Sequence, residues 1–139
     1  MSYESYSLEE LRELFINAGV RIAHLDAAIE ASEREQNRLS DELDVLRARE
    51  WIATDRRAGK GFEKYRRKAS RSMSEDELVV GYVRTNHSGV LYSTMNDHPL
   101  NYARLREMQM ATAMTREIID LQNTHRAIET ELRVRGLQP

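Results

Sequence analysis

The apolar positions of the first fifty residues follow a helical repeat. Eleven positions succeed one another at steps of three and four, and the ten steps cover 35 residues. The mean step of 3.5 residues is the repeat of a helix that packs along another helix. We therefore predict a first long helix over residues 7–57. The eleven positions are Leu11, Leu14, Ala18, Ile22, Leu25, Ile29, Ser32, Gln36, Leu39, Leu43 and Leu46.

The last third of the chain contains a second stripe of this kind. Pro99 suits the first turn of a helix, and Gly136 suits the position just after its end. The pattern predicts a second long helix over residues 98–135. Its stripe consists of Leu105, Met108, Thr112, Met114, Ile118, Leu121, His125, Ile128 and Leu132.

Residues 77–95 differ from both stripes. The runs LVVGYVR and VLYST are rich in β-branched and aromatic residues, and TNHSG between them is rich in turn formers. This composition predicts a β-hairpin. Since two strands alone are only marginally stable, we expect the hairpin to pack on the helices or to pair with another subunit.

The sequence thus predicts a mainly α fold: two long helices form an antiparallel, coiled-coil-like hairpin, with a small β-hairpin inserted between them. We expect residues 1–139 to form a single elongated domain. The first helix should start at Ser7, with Glu10 completing a capping box. It should end near Gly59 and Gly61, which open a basic connector.

The basic connector, residues 58–76, is predicted either as a short helix or as a loop. Charge is concentrated around it. The whole chain has 21 Lys and Arg against 23 Asp and Glu, a net charge of −2. Between Arg56 and Arg71, eight bases accompany one acid, Glu63, so this stretch carries +7 and the remainder −9. Such a patch meets either an anion or the chain's own acids.

We interpret this stretch as a candidate anion-binding site. Its bases could contact phosphates, Phe62 or Tyr65 could stack on a nucleobase, and the glycines could admit an anion to backbone amides. The spacing of a P-loop is missing. The alternative is a solvated connector that docks on acids of this chain or of a neighbouring subunit. The candidates, which include the predicted hairpin turn and the helix after it, are Arg56, Arg57, Lys60, Lys64, Tyr65, Arg66, Arg67, Arg84, Asn86, His87, Tyr92, Arg104 and Arg106.

Neither a catalytic set nor a metal site is expected. The four histidines are isolated from one another, and no cysteine is available for disulfides, thiolate metal sites or thiol nucleophiles. We therefore expect no cofactor. No apolar run is long enough to cross a membrane, and the acidic N-terminal stretch does not resemble a signal peptide, so we expect a cytoplasmic protein without a membrane partner.

Two hypotheses about function follow, with an enzyme whose site is built across subunits as a third. In the first, the chain is a non-enzymatic homo-oligomeric helical protein that binds itself or another protein. In the second, it binds a phosphate-bearing ligand, either a small nucleotide or nucleic acid, through the basic segment and the hairpin. The oligomer interface of the first hypothesis comprises Leu11, Leu14, Ile22, Leu25, Ile29, Leu39, Leu43, Leu46 and Trp51.

Overall fold

A computed structural model describes residues 2–69, 71–92 and 98–137, except for the side chain of Tyr92. In these residues it contains four α-helices, one short 3-10 helix and no strand. The predicted mainly α fold with two long helices is therefore confirmed. The elements are α1 (Leu8–Thr54), α2 (Arg56–Lys68), α3 (Glu75–Asn86), the 3-10 helix (Ser88–Tyr92) and α4 (Pro99–Val134).

Backbone contacts divide the chain into two compact units, each with its own hydrophobic core. We call Met1–Arg34 together with Glu107–Pro139 the terminal unit, and Glu35–Arg106 the middle unit. The core of the terminal unit is built from α1 and α4. The core of the middle unit is built from the end of α1, from α2 and α3, and from the 3-10 helix.

In the terminal unit, α1 and α4 pair in antiparallel orientation within one chain. As the residue numbers rise along α1, the numbers of the residues that they contact on α4 fall. The pairs are Leu11 with Ile128 and Leu132, Phe15 with His125, Arg21 with Glu117, and Ser32 with Glu107. Burial of each large aliphatic side chain stabilises the pair by about 2 kcal/mol.

Ser32, a polar member of the first stripe, meets α4. Its side chain is buried, and its hydroxyl lies 2.8 Å from Oε2 and 3.1 Å from the backbone carbonyl oxygen of Glu107. The hydrogen bond satisfies a hydroxyl that would otherwise be costly to bury. A polar residue is therefore tolerated in the middle of an apolar seam.

The starts of both long helices confirm the sequence signals. The Glu10 backbone N–H donates to the Ser7 hydroxyl over 3.1 Å, and the Ser7 backbone N–H donates to the Glu10 carboxylate over 3.2 Å. These two bonds form the predicted capping box. Pro99 is the first residue of α4, where its missing N–H costs nothing.

The predicted stop at Gly136 is also confirmed. Gly136 has φ +76°, a left-handed conformation that favours glycine. Its N–H donates to the carbonyl of Arg133, and the N–H of Leu137 donates to that of Leu132. This is a Schellman motif, which satisfies carbonyls that the end of a helix leaves unpaired.

Arg135, beside this cap, holds the N-terminal segment of the terminal unit. Its Nη2 donates to the backbone carbonyls of Tyr3, Glu4 and Tyr6 at 3.2, 3.2 and 2.8 Å. Its Nε donates to Glu131 over 2.9 Å. One guanidinium thus fixes the segment that precedes α1 against the end of α4.

In the middle unit, the chain breaks between α1 and α2 at Asp55. The Asp55 carboxylate accepts a hydrogen bond from the Ala58 backbone N–H over 3.0 Å and caps α2. The break comes earlier than the predicted helix end at residue 57. Gly59 and Gly61 lie inside α2, so the basic stretch forms the short helix that was one of the two open alternatives.

The β-hairpin predicted for residues 77–95 is wrong. Residues 77–86 belong to α3, and Ser88–Tyr92 form the 3-10 helix. Residues 93–95 lie outside the described residues. The preference of β-branched residues for strands is weak, and tertiary packing overrides it here.

The packing of α3 explains this outcome. Leu78, Val79, Tyr82 and Val83 are all buried, and their spacing of one, three and one residues places them on one face of a helix. Ser74 caps α3 by accepting a hydrogen bond from the Glu77 backbone N–H over 3.2 Å. Three acids in the first turn suit the positive end of the helix dipole. A buried face, a cap and a favourable first turn together outweigh the local preference.

Two tyrosines and two glycines hold α2 against α3. A Cβ on Gly61 would lie only 2.1 Å from the Tyr82 hydroxyl, and a Cβ on Gly81 would lie 2.9 Å from the Tyr65 hydroxyl. The two rings lie 5.6 Å apart between centroids. Each tyrosine thus occupies the space that a side chain on the other helix would need. We call this arrangement the tyrosine–glycine pair of contacts.

Replacement of Gly61 by alanine should destabilise the protein. Alanine favours a helix interior over glycine by about 1 kcal/mol, but the new Cβ would collide with the buried Tyr82 ring. Overpacking of this kind costs about 1–3 kcal/mol. We expect Gly61→Ala to lower the free energy of unfolding by up to about 2 kcal/mol, which is the overpacking cost less the helical gain. Urea denaturation followed by circular dichroism measures this change.

A matched substitution on α1 supplies the control. A Cβ on Gly19 would have its nearest neighbour, Nε2 of His125, at 3.9 Å, an ordinary contact. Gly19→Ala should therefore stabilise the protein by up to about 1 kcal/mol. Adding Tyr82→Phe to Gly61→Ala removes the colliding hydroxyl and should recover part of the loss. Equal effects of the two glycine substitutions would contradict the close contact.

Removal of the Arg135 guanidinium should release the N-terminal segment. Arg135→Met keeps an unbranched side chain but removes the donors to three carbonyls, and hydrogen bonds to charged groups contribute about 1.5–3 kcal/mol. We expect a loss of about 1–2 kcal/mol and faster cleavage within residues 2–7 in limited proteolysis. Arg133→Met, at an exposed position whose side chain has no partner among the residues described, is the control and should change neither quantity.

Candidate functional site

Helix α2 has one apolar and one basic side. Ala58 and Phe62 are buried, and Tyr65 is half-buried against the same core. The other side carries basic residues at steps of four, four and three, which the helical repeat places in one row. We call these residues the basic row: Arg56, Lys60, Lys64 and Arg67. Packing of the apolar side therefore turns the row toward solvent.

The basic row lines an open groove of about 670 Å³ beside the end of α1. Its four side chains are exposed and have no hydrogen bond or ion pair with the described part of the chain. The one other charged side chain of α2 in the groove, Glu63, lies 3.9 Å from Arg66. The remaining lining residues are Ile52, Ala53, Asp55 and Gly59.

A second groove, of about 440 Å³, is lined by equal numbers of basic and acidic side chains. Its two cations are both paired with acids from the first turn of α3. Arg66 donates to Glu75 over 2.5 Å and lies over the Phe62 ring at 4.8 Å, and Arg49 pairs with Asp76. The protein neutralises Arg49 and Arg66 with acids of α3, whereas the basic row has no hydrogen-bond or ion-pair partner among residues 2–69, 71–92 and 98–137.

The start of α2 strengthens the positive potential. Its first turn contains Arg56 and Arg57 and no acid, although the positive end of the helix dipole favours acids there. Asp55 carries the compensating charge, and its carboxylate already accepts the capping hydrogen bond. The middle unit as a whole has fourteen Lys and Arg against eleven Asp and Glu, a net charge of +3.

The aromatic residues proposed for base stacking are committed to packing. Phe62 is buried, with its ring 5.7 Å from that of Tyr82. The Tyr65 ring packs on Tyr82 and its hydroxyl lies over Gly81. Neither ring presents a face to the groove of the basic row, whose lining contains no aromatic residue.

Candidates from the predicted hairpin turn lie at the end of α3. Arg84 pairs with Asp44 at 3.3 Å, and the Asn86 side-chain amide donates to the carbonyl of Tyr82 over 3.0 Å. The ring of His87 packs against that of Trp51, 4.2 Å away between centroids. The turn that was to hold them is not formed, and none of the three lines the groove. Tyr92 was the remaining candidate, and its side chain lies outside the described residues.

The two arginines predicted at the start of the last helix also lie apart from the groove. Arg104 is half-buried and donates to the side chain of Asn101 over 3.0 Å, while Arg106 is exposed on α4. Thirteen residues were candidates from the sequence. Four of them, the residues of the basic row, lie together in one groove. Arg57 is exposed on α2 without lining it.

The nine residues predicted for an oligomer interface differ in exposure. Four of them are buried within the single chain: Leu11, Leu25, Leu39 and Leu43. Leu14 and Leu46 expose just over a third of their surface, and Ile22, Ile29 and Trp51 are half-buried. The helix face opposite the predicted seam exposes Ile16 and Val20, which the analysis of the stripe did not select.

Sequence reasoning also missed the role of Asp55 as a helix cap and the role of Gly59 in helix packing. Asp55 precedes two arginines and an alanine, and an aspartate at that point is a signal for a new helix start. A Cβ on Gly59 would lie 3.3 Å from the backbone carbonyl of Ile52, so Gly59 permits the close approach of α2 to α1 beside the groove. No local sequence signal reveals that contact.

Another charged cluster lies on α1. Arg38 donates to Glu35 and Glu42, and its hydrogen bond lowers the pKa of Glu35 below the ordinary value. The stabilisation from this ion pair is present above the ordinary carboxyl pKa and is lost as pH falls through the lowered value. Because the cluster is exposed, it is a surface feature with a small effect on stability.

Within residues 2–69, 71–92 and 98–137, no three His, Asp or Glu side chains come together as a metal site would require. In the same residues, no helix is long and apolar enough to cross a membrane. Comparison of the chain with protein-family models, curated proteins and solved structures found no match.

Proposed function

We propose that this chain is a non-enzymatic helical binding protein, and that its middle unit binds a phosphate-bearing ligand along the basic row. One observation carries the proposal. The four cations of the row are exposed beside an open groove and have no partner in the part of the chain that the structure describes, whereas Arg49 and Arg66 nearby are neutralised by acids of α3. Cations in such a row repel one another, and an anion with several charges relieves that repulsion.

The types of side chain support phosphate as the recognised group. Arginine offers a planar fork of donors and lysine a point charge, and both are common partners of phosphate oxygens. A single carboxylate would neutralise only one member of the row. A ligand that carries several phosphates can contact most of it, so this class fits the row best.

Neutralisation of the centre of the row should weaken binding. We expect Lys60→Gln/Lys64→Gln to lower the affinity for a fluorescein-labelled mixed-sequence 20-mer oligonucleotide by about tenfold or more at 50 mM salt, because two phosphate contacts are lost. Fluorescence anisotropy measures the affinity, and circular dichroism checks that the helices are intact.

The control variant changes the net charge by the same amount elsewhere. Arg116 and Arg126 are exposed bases on α4 in the terminal unit, without side-chain partners in the described residues. Arg116→Gln/Arg126→Gln should leave the affinity within about twofold of that of the unchanged protein. Equal losses in both variants would mean that net charge alone attracts the oligonucleotide, and the proposal would then fail.

A second candidate function, homo-oligomeric assembly, is supported by exposed apolar surface on α1. Ile16 and Val20 expose 61% and 52% of their surface. Three exposed alanines continue the same helix face at steps of three and four: Ala23, Ala27 and Ala31. Contiguous exposed apolar surface is a common mark of protein–protein contacts.

A charge on this face should abolish self-association. If the second candidate function is correct, native mass spectrometry should detect an oligomer of the unchanged protein. Ile16→Glu/Val20→Glu should convert this oligomer to a monomer, because burial of the two carboxylates is costly. Asn17→Glu, at an exposed polar position one residue away, is the control and should leave the oligomer intact. A protein that is monomeric at about 100 μM would exclude this candidate.

A further inference from the structure

We infer that the ligand of the basic row is the sugar–phosphate backbone of double-stranded nucleic acid, bound without regard to base sequence. This inference rests on the proposed function and names its ligand. It follows from three properties of the site: the linear arrangement of the cations, the absence of a stacking surface, and the composition of the groove.

The basic row is extended. Arg56 and Arg67 are eleven residues apart in one helix, which corresponds to about 16 Å at 1.5 Å per residue. Measured along a duplex axis, this length covers roughly five phosphates of one strand at 3.4 Å each. A mononucleotide is too short to reach all four cations, so an extended polyphosphate backbone is the better fit.

Among the described residues, the groove has no aromatic platform for an unstacked base. Single-strand binders combine a basic groove with aromatic rings on which the bases stack. Here Phe62 is buried and Tyr65 packs against α3, as described above. The groove is also open on one side rather than closed around a ligand, unlike the concave sites that hold small molecules. Both properties favour a duplex, whose bases are already stacked and whose phosphates face outward.

The composition of the groove favours contacts with phosphates over contacts with base edges. Asparagine, glutamine, serine and threonine, which often read or position bases, are absent from its lining residues. Its polar side chains are the basic row and two acids, Asp55 and Glu63. Lysine and arginine contacts to phosphates fix a protein on a duplex without reading its sequence.

The salt dependence of binding tests the inference. The full-length protein is titrated into a labelled mixed-sequence 20-bp DNA duplex at salt concentrations from 50 to 200 mM. Four phosphate contacts predict a slope of log K against log salt of about −3.6, so the affinity should fall by about 10²-fold over this range. Lys60→Gln/Lys64→Gln should reduce the slope by about 1.8, and Arg116→Gln/Arg126→Gln should leave it unchanged.

A comparison of different ligands tests whether the preferred ligand is a duplex. The duplex should bind several-fold more tightly than a single strand of the same length, because its charge density is higher. Duplexes of unrelated sequence should bind equally, and ATP at 1 mM should displace little of the bound duplex. These results would support backbone recognition.

Other outcomes would overturn the inference and identify what fails. Preference for a single strand of one base composition, or tight binding of ATP, would overturn the inference that the ligand is a duplex. Either result would remain consistent with the proposed phosphate site. Competition by poly-glutamate as strong per charge as that by duplex would identify an acidic protein as the partner and overturn the inference. Failure of the duplex, the single strand and ATP all to bind would overturn the proposed function as well.

Discussion

The tyrosine–glycine pair of contacts fixes the orientation of α2. Tyr82 lies over Gly61 and Tyr65 lies over Gly81, so α2 and α3 can approach only with these faces together. Once this face is buried, the helical repeat leaves the basic row no position except the solvent side. The acids at the start of α3 then pair with Arg49 and Arg66, while the basic row has no partner among the described residues. The charge pattern of the surface thus depends on an uncharged contact in the core.

Much of the fold was predictable from local signals with a direct physical cause. The capping box at Ser7, the proline start of α4 and the Gly136 stop each depend on a few neighbouring residues, and all three are present. The prediction of a β-hairpin was wrong because it rested on amino-acid composition. Residues that favour strands form a helix when their spacing produces one buried face, as in α3. That spacing is visible in the sequence, but the composition of the same residues favours β structure.

The sequence predicts the cluster of bases at the candidate site, but it does not predict how their side chains are arranged. The bases between Arg56 and Arg71 are evident in the sequence, yet the basic row forms only if a single helix starts at Arg56 and continues through the whole row. Asp55 determines that start, and it is a single residue with a modest local signal. The pairing of Arg66 with Glu75 depends on the tertiary contact of α2 with α3. Sequence distance alone could not separate the paired bases from the unpaired ones.

The position of Trp51 gives the middle unit an optical signal of its own. Trp51 is the only tryptophan of the chain, and its ring packs on His87 beside the core formed by α2 and α3. The emission of this indole therefore reports the integrity of that core, while far-ultraviolet circular dichroism sums the helices of both units. Coincidence of the two signals during denaturation is a standard criterion for a single cooperative transition. The chain thus contains, without any label, the means to establish whether its two units melt together or in succession.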